Sequence, residues 1–265
     1  MQSAASTADD TEARYRETMA GKVVVITGGA RGIGGATAEL LAGRGASVVI
    51  GDVLSSEGEA TVARIAGSGG AAHFVPTDVT DGLACQRLMS SAIDTYGKLD
   101  VLLCCAGILR GAFQQVDVLA DDVFWNVLDV NVRGTFLCAK AAVPHLRKTH
   151  GVLLLLASGA GVRGGSSSAA YGASKGGVNG LGMTLEGHLA ADSIRVNVIC
   201  PGSIGTTMKL DNIADAARAQ GADPQNAVTR AQASGAVGDP RGVARILAFL
   251  ASDQADYLRH TLFTR

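Results

Sequence analysis

The stretch KVVVITGGARGIG, residues 22–34, constrains this chain more than any other. Its first half is a β-branched run without polar alternation, the pattern of a strand buried on both faces of a parallel sheet. Its second half is rich in glycine and opens a helix. A strand, a tight turn and a helix in that order aim backbone N–H groups and the positive end of a helix dipole at one point, which suits the pyrophosphate of a dinucleotide. Gly28, Gly32 and Gly34 are the glycines assigned to that turn. Their spacing is G-x-x-x-G-x-G rather than the general G-x-G-x-x-G, and glycine clusters also end strands for purely structural reasons. The rest of the chain has to decide between the two readings.

The pattern then repeats. Ile33, Ala36, Leu40 and Leu41 recur at helical spacing until Gly43 and Gly45, and residues 47–50 read as a second strand with Asp52 at its end. An acidic residue about twenty positions beyond the glycines can accept hydrogen bonds from both adenosine ribose hydroxyls and would repel a 2′-phosphate. Next come a helix near 55–65, a strand at 72–75, and a turn at 77–81 in which Asp81 or Thr80 can cap the following helix. A fourth strand at 99–104 ends in Cys104-Cys105-Ala106-Gly107. A long helix over 121–147 follows, with Pro144 as its possible break, then a fifth strand at 152–157 and a small-residue loop at 158–168. A helix through Tyr171, Lys175 and Leu189 leads to a strand at 194–200 closed by Pro201-Gly202. Residues 206–238 read as helical flaps over a site, and 240–250 as a last helix. Strands alternating with helices specify an α/β fold built on a doubly wound parallel sheet.

With 265 residues, 47% of them hydrophobic, the chain suits one domain with a large core, expected over 21–265 behind a flexible arm at 1–20. A net charge of −1 supplies no broad attraction to nucleic acid or an anionic membrane, and 4% aromatic residues make a poor base-stacking surface. Five cysteines without C-x-x-C spacing point to a reducing compartment, and the five scattered histidines to no metal. No apolar run approaches the length of a membrane span, 152–157 being the nearest. The expectation is a cytoplasmic protein whose partner is a small molecule.

Tyr171 and Lys175 lie four apart in YGASK and share one face of their helix, with Ser158 thirteen residues earlier past a strand end. Tyrosine, with an ordinary pKa of about 10, is a weak acid-base group near neutrality, and a nearby ammonium favours its ionised form. Taken alone the pair is also what a solvated amphipathic turn carries. The order of parts changes that: glycines after the first strand, Asp52 after the second, Ser158 after the fifth, and the Tyr171–Lys175 turn opening the next helix, all at the carboxyl ends of strands where such sheets bind ligands.

From about residue 21 to 262 the sequence resembles the short-chain dehydrogenase/reductase family. The matching segments are residues 27–34 (TGGARGIG), Asp78-Val79, Ala106-Gly107, Asn131 in NVRGTF, Ser158, Tyr171 to Lys175, and Pro201-Gly202 followed by Thr206 and Met208. The resemblance implies a single-domain Rossmann-type sheet of about seven strands flanked by helices, and an NAD-dependent oxidoreductase acting on a secondary alcohol or its ketone. It implies that Tyr171 exchanges the proton with the substrate oxygen, that Ser158 holds that oxygen, that Lys175 binds the nicotinamide ribose and depresses the tyrosine pKa, and that Asn131 holds a water linking Lys175 to solvent. The cofactor would meet Gly28, Arg31, Gly32, Ile33, Gly34, Asp52 and Val53, then Asp78, Val79, Cys105, Ala106 and Gly107, and finally Tyr171, Lys175, Pro201, Gly202, Ile204 and Thr206. NADP is the less favoured cofactor. A homodimer or homotetramer is expected as well, and the small-residue stretches of the helices that start near Asp121 and Tyr171 favour the dimer, packed across a two-fold axis.

Two departures from the family pattern stand out. Cys104-Cys105 replaces the usual Asn-Asn, whose amides brace neighbouring strands, and leaves buried structural thiols or a redox switch as readings. The last strand lacks the usual Tyr-x-Thr-Gly pattern, with Tyr257 followed by Leu258-Arg259-His260. Two other functions compete: an NADPH-dependent 3-oxoacyl reductase, favoured by Arg31 approaching a 2′-phosphate, and a dinucleotide-sensing regulator, which would need none of the proton-relay residues. Arg163 is read as a solvated loop residue or as an attractor of carboxylates.

Overall fold

The computed structural model describes residues 19–264. Seven strands form one parallel sheet in the order β3-β2-β1-β4-β5-β6-β7: β1 Val23–Thr27, β2 Ser47–Asp52, β3 Ala71–Pro76, β4 Val101–Cys104, β5 Val152–Leu156, β6 Arg195–Cys200 and β7 His260–Phe263. Every pairing is parallel, including Asn197 of β6 with His260 of β7, so the departures in the last strand do not prevent it from closing the sheet edge. The helices are α1 Gly32–Gly43, α2 Ser55–Gly67, α3 Gly82–Tyr96, α4 Asp121–Leu128, α5 Gly134–Thr149, α6 Ala169–Leu189, α7 Thr207–Ala219, α8 Pro224–Ala233 and α9 Pro240–Ala251. The segment expected to form helical flaps over a site holds α7, which lines the cleft at the carboxyl ends of the strands, and α8, which does not.

The central strands are buried along their whole length because both faces are covered. Val23 and Val25 pack into a core with α3, α5 and α6, while Val24 and Ile26 pack into a second core with α1 and α9. Met19, within the stretch read as a flexible arm, is fully buried in the second core, and its carbonyl accepts a hydrogen bond from the Lys22 N–H. Residues 1–18 of that arm lie outside the described residues.

The long helix expected over 121–147 is interrupted, but not at Pro144, which stays inside α5. The interruption is a π-helical turn at Asp129–Arg133, and it turns Asn131 inward, where the residue is 1% exposed. The strand order reverses between β1 and β4, whose carboxyl ends separate the helices crossing opposite faces, and a crevice opens there. Among the described residues no helix is long and apolar enough to cross a membrane, and no cluster of His, Cys, Asp or Glu could hold a metal.

Candidate functional site

A cleft of about 1020 Å³ runs along the carboxyl ends of the strands. Every residue assigned to the cofactor from sequence lines it, from Gly28 to Thr206, together with Ser158, Tyr171 and Lys175. Asn131 is the one assigned residue that does not.

The glycines fit their assignment for stated reasons. Gly28 has a φ of +68°, and a Cβ there would come within 2.6 Å of the Ala106 nitrogen, so glycine lets the turn lie against the segment leaving β4. A Cβ on Gly34 would come within 2.2 Å of the Gly28 carbonyl oxygen, so glycine also lets α1 start tight against the turn. No side chain caps α1, whereas Asp81, Ser168 and Thr206 cap α3, α6 and α7. The first N–H groups of α1 are thus left to an acceptor in the cleft, as an anionic pyrophosphate requires. Opposite them, a Cβ on Gly32 would lie 3.3 Å from Thr206 Cγ2, which brings the glycine turn and the start of α7 together.

Asp52 closes the far end. Its Oδ2 accepts from the Ala30 N–H at 3.1 Å and its Oδ1 from the Leu54 N–H at 3.1 Å, so the carboxylate is held between the glycine turn and its own strand end. Val53 beside it is 65% exposed, and Arg31 is exposed on the same part of the cleft. Asp78 is tied locally, accepting from the Thr80 N–H and hydroxyl at 2.9 and 2.8 Å.

At the other end Ser158 leaves β5 and Tyr171 stands in the first turn of α6. The Ser158 hydroxyl, whose Oγ accepts the Ala160 N–H at 3.1 Å, faces the Tyr171 phenol closely enough to favour its ionised form. α6 is started by buried Ser168, whose Oγ accepts the Tyr171 N–H at 3.1 Å and donates to the Arg110 carbonyl at 2.6 Å. Lys175, 5% exposed, donates from Nζ to the Leu156 carbonyl at 2.7 Å and lies 5.7 Å from the Tyr171 ring centre. Burial pushes the Lys175 pKa down to about 8, partly opposed by the Cys105 and Cys200 thiols nearby. Burial also raises the Tyr171 phenol above its ordinary value, and the Ser158 hydroxyl pulls the other way. The expected depression of Tyr171 by Lys175 is therefore not the net effect: taking the phenol out of water favours its neutral form.

Asn131 works from behind the cleft. Its Oδ1 accepts the Ile108 N–H at 2.8 Å, and its Nδ2 donates to the Ile108 carbonyl and the Ser174 hydroxyl, both at 2.9 Å. The amide thus braces the segment after β4 against α6. Gly107 passes between, where a Cβ would lie 3.2 Å from Asn131 Oδ1 and 3.5 Å from Lys175 Nζ.

The adjacent cysteines point to opposite faces of the sheet, as successive strand residues do. Cys104 sits in the first core with Cys138, whereas Cys105 packs toward the second core and lines the cleft. The Cys105 thiol is pushed up to about 12 by burial, which holds it protonated. The bracing that asparagines would give comes instead from the backbone, with the Cys105 N–H on the Thr27 carbonyl at 3.0 Å.

A half-buried tyrosine whose hydroxyl faces a serine beside a buried lysine, at one end of a dinucleotide-sized cleft, is an arrangement for moving a proton to or from an oxygen. The model of the short chain dehydrogenase family matches residues 22–217. The chain belongs to this family. A cis-4-hydroxycyclohexanecarboxylate dehydrogenase of Sinomonas cyclohexanicum is 38% identical over 247 residues, which cover 91% of this chain and 94% of that one. A 3-oxoacyl-[acyl-carrier-protein] reductase of Thermotoga maritima is 35% identical, over 90% of this chain and 93% of that one. The crystal structure of levodione reductase superposes with a TM-score of 0.84 at 29% identity, over 92% of this chain and 95% of that one. The protein is thus an oxidoreductase of the short-chain dehydrogenase family, whose members use nicotinamide cofactors.

The structure of this short-chain dehydrogenase also shows residues that sequence reasoning missed. The Phe113 N–H donates to the Ser167 carbonyl at 2.7 Å, and Asn212 Nδ2 donates to the Ser167 hydroxyl at 3.1 Å. The loop after β4, the loop before α6 and helix α7 therefore form one rim beside Tyr171. Signals for these contacts were weak, since they join residues far apart in sequence. Arg163, by contrast, does not line the cleft; its guanidinium lies over the Phe263 ring at 5.3 Å.

Proposed function

We propose that this short-chain dehydrogenase transfers hydride between NAD and a secondary alcohol or the corresponding ketone, with Tyr171 as the acid-base residue. The observation that carries the reading is the convergence of Ser158, the Tyr171 phenol and buried Lys175 at one end of a cleft whose other end holds Asp52. When bound, the nicotinamide cofactor accepts or supplies the hydride. The Ser158 hydroxyl holds the substrate oxygen, and Tyr171 takes the proton from the alcohol or gives it to the ketone. Burial that raises the Tyr171 pKa keeps the phenol protonated near neutrality, which suits it to donate in ketone reduction. Lys175 presents a cation to the cofactor ribose and biases the phenol toward releasing its proton once substrate is seated. Asn131 sets where Lys175 sits by bracing the segment after β4, and the water link from Lys175 to solvent belongs to the same proposal.

NAD is favoured because the Asp52 carboxylate is preorganised by two backbone N–H groups at the place where ribose hydroxyls would be met. The relatives named above include an alcohol dehydrogenase acting on a ring and an oxoacyl reductase, and Arg31 is the residue that favours an NADPH-dependent reductase instead. We place the protein in the cytoplasm as a homodimer formed through α4, α5 and α6, which expose Trp125, Phe136 and Met183. A panel of secondary alcohols and ketones with NAD(H) and NADP(H), followed by nucleotide absorbance, tests the reading. Turnover with NAD(H) supports it; turnover only with NADP(H) supports the Arg31 alternative, and nucleotide binding without turnover supports the sensor.

A further inference from the structure

Among the described residues, carboxylates line one end of the cleft, where the Arg31 cation accompanies them. Both carboxylates that line it, Asp52 and Asp78, stand at the ends of β2 and β3 and are engaged by hydrogen bonds from neighbouring groups. Among the described residues, the rim beside Tyr171 carries Arg110 and Lys209 and no carboxylate. Arg110 is placed there by its own carbonyl, which accepts the hydroxyl of Ser168, the residue that caps Tyr171's helix. Lys209 lies one helical turn before Asn212, the residue that ties α7 to the same loop.

Among the described residues neither cation has an ionic partner. Arg110 reaches only the carbonyl of Leu109, at 3.4 Å, and the half-buried ammonium of Lys209 makes no hydrogen bond or ion pair among the described residues. Arg64, Arg133, Arg147 and Arg218 each hold a carboxylate at 2.6 to 2.8 Å, whereas Arg110 and Lys209, like Arg31, Lys140 and Lys148, hold none among the described residues. On α7 itself, Asp215 is turned to Arg218 and Asp211 is exposed, so neither serves Lys209. The same part of the chain lines the cleft with the apolar side chains of Leu109, Phe113, Met208 and Ile213, alongside the polar Ser167 and Asn212. Apolar side chains beside two cations that hold no carboxylate suit an anion attached to an apolar body.

We propose that this rim is a substrate subsite for a carboxylate, so that the substrate is a secondary alcohol or ketone whose apolar body ends in a carboxylate held by Lys209 and Arg110. The proposal rests on the dehydrogenase reading for the reaction, but the subsite can be measured without turnover. The kinetic arm compares kcat/KM for 4-hydroxycyclohexanecarboxylate and for its methyl ester, in the unmodified protein and in Lys209→Met, Arg110→Met and the double variant. The acid is expected to exceed the ester by about 10- to 100-fold, the range of one charge-assisted hydrogen bond, and the ratio is expected to collapse toward one in the double variant. Lys209→Arg is expected to restore most of it. The binding arm measures cyclohexanecarboxylate by calorimetry in the presence of NADH, with Kd rising about tenfold or more in the double variant.

An ester turned over as well as the acid, or an acid preference that survives in the double variant, overturns the subsite while leaving the dehydrogenase reading in place. A loss of NADH affinity equal to the loss of carboxylate affinity assigns the cations to the cofactor and also overturns it. Carboxylate binding that depends on Lys209 and Arg110 without oxidation of any alcohol supports the subsite and defeats the dehydrogenase reading instead.

Discussion

Replacing Asp52 tests cofactor choice at the point where the structure is most explicit. The carboxylate is fixed by the Ala30 and Leu54 N–H groups, both at 3.1 Å, so it cannot swing away from a 2′-phosphate without losing two hydrogen bonds. Two unit charges about 4 Å apart interact by about 4 kcal/mol at the effective dielectric of a protein surface. Asp52 is only half-buried, so solvent screening reduces that to about 2 to 3 kcal/mol, or about 30- to 150-fold in favour of NAD. Asp52→Ala removes both the repulsion and the ribose acceptors. NAD binding should weaken, NADP binding should strengthen, and most of the gap should close. Val53 is 65% exposed, so adding Val53→Arg costs no core packing and sets a second guanidinium beside Arg31 for the phosphate. Calorimetric dissociation constants for NAD and NADP, at one ionic strength, give the gap directly. An unmodified protein that binds NADP as tightly as NAD, or a gap unchanged in Asp52→Ala, refutes the reasoning.

Lys175 predicts a pH dependence of stability. Its folded pKa is about 8 against an ordinary value of 10.5, so between those values the unfolded chain holds a proton that the folded chain has shed, and Lys175's contribution to stability rises with pH across that window. Denaturant unfolding of the unmodified protein and Lys175→Met at several pH values should show their difference moving in that direction between pH 8 and 10; a constant difference contradicts it. Ketone reduction should fall as pH rises above about 8, where the Lys175 cation is lost, and a flat rate to pH 10 would count against its role. Trp125 and Met183 are 64% and 57% exposed, and Trp125→Lys with Met183→Glu should convert a dimer to a monomer in sedimentation at micromolar concentration. A monomer before mutation, or a dimer after it, removes α4 and α6 from the interface.

What was legible in the sequence was carried by local rules. The unalternating strand at Val23–Thr27, the glycine turn and the repeated strand-helix order specify the sheet and place Gly28, Asp52 and Ser158 at strand ends. Helical spacing alone puts Tyr171 and Lys175 on one face. What was not legible depends on contacts between distant segments. The π-helical turn that points Asn131 at Ile108 and Ser174 has no local signature, and Pro144 was the more visible interruption although α5 accommodates it. The direction of the Tyr171 pKa follows from burial, which spacing does not report. The rim of Arg110, Ser167 and Asn212 joins residues 45 or more positions apart, and Met19 is buried although it sits in a polar stretch.

Tyr171→Phe is the most direct test of the central claim, because it deletes the phenolic oxygen that faces Ser158 and keeps the ring. Measured with a secondary alcohol that the unmodified protein oxidises, under conditions where chemistry limits the rate, kcat should fall by at least about two orders of magnitude while the NAD dissociation constant stays within about threefold. A variant that keeps near-unmodified kcat under those conditions would show that the proton moves through another group, and the assignment of Tyr171 would be wrong.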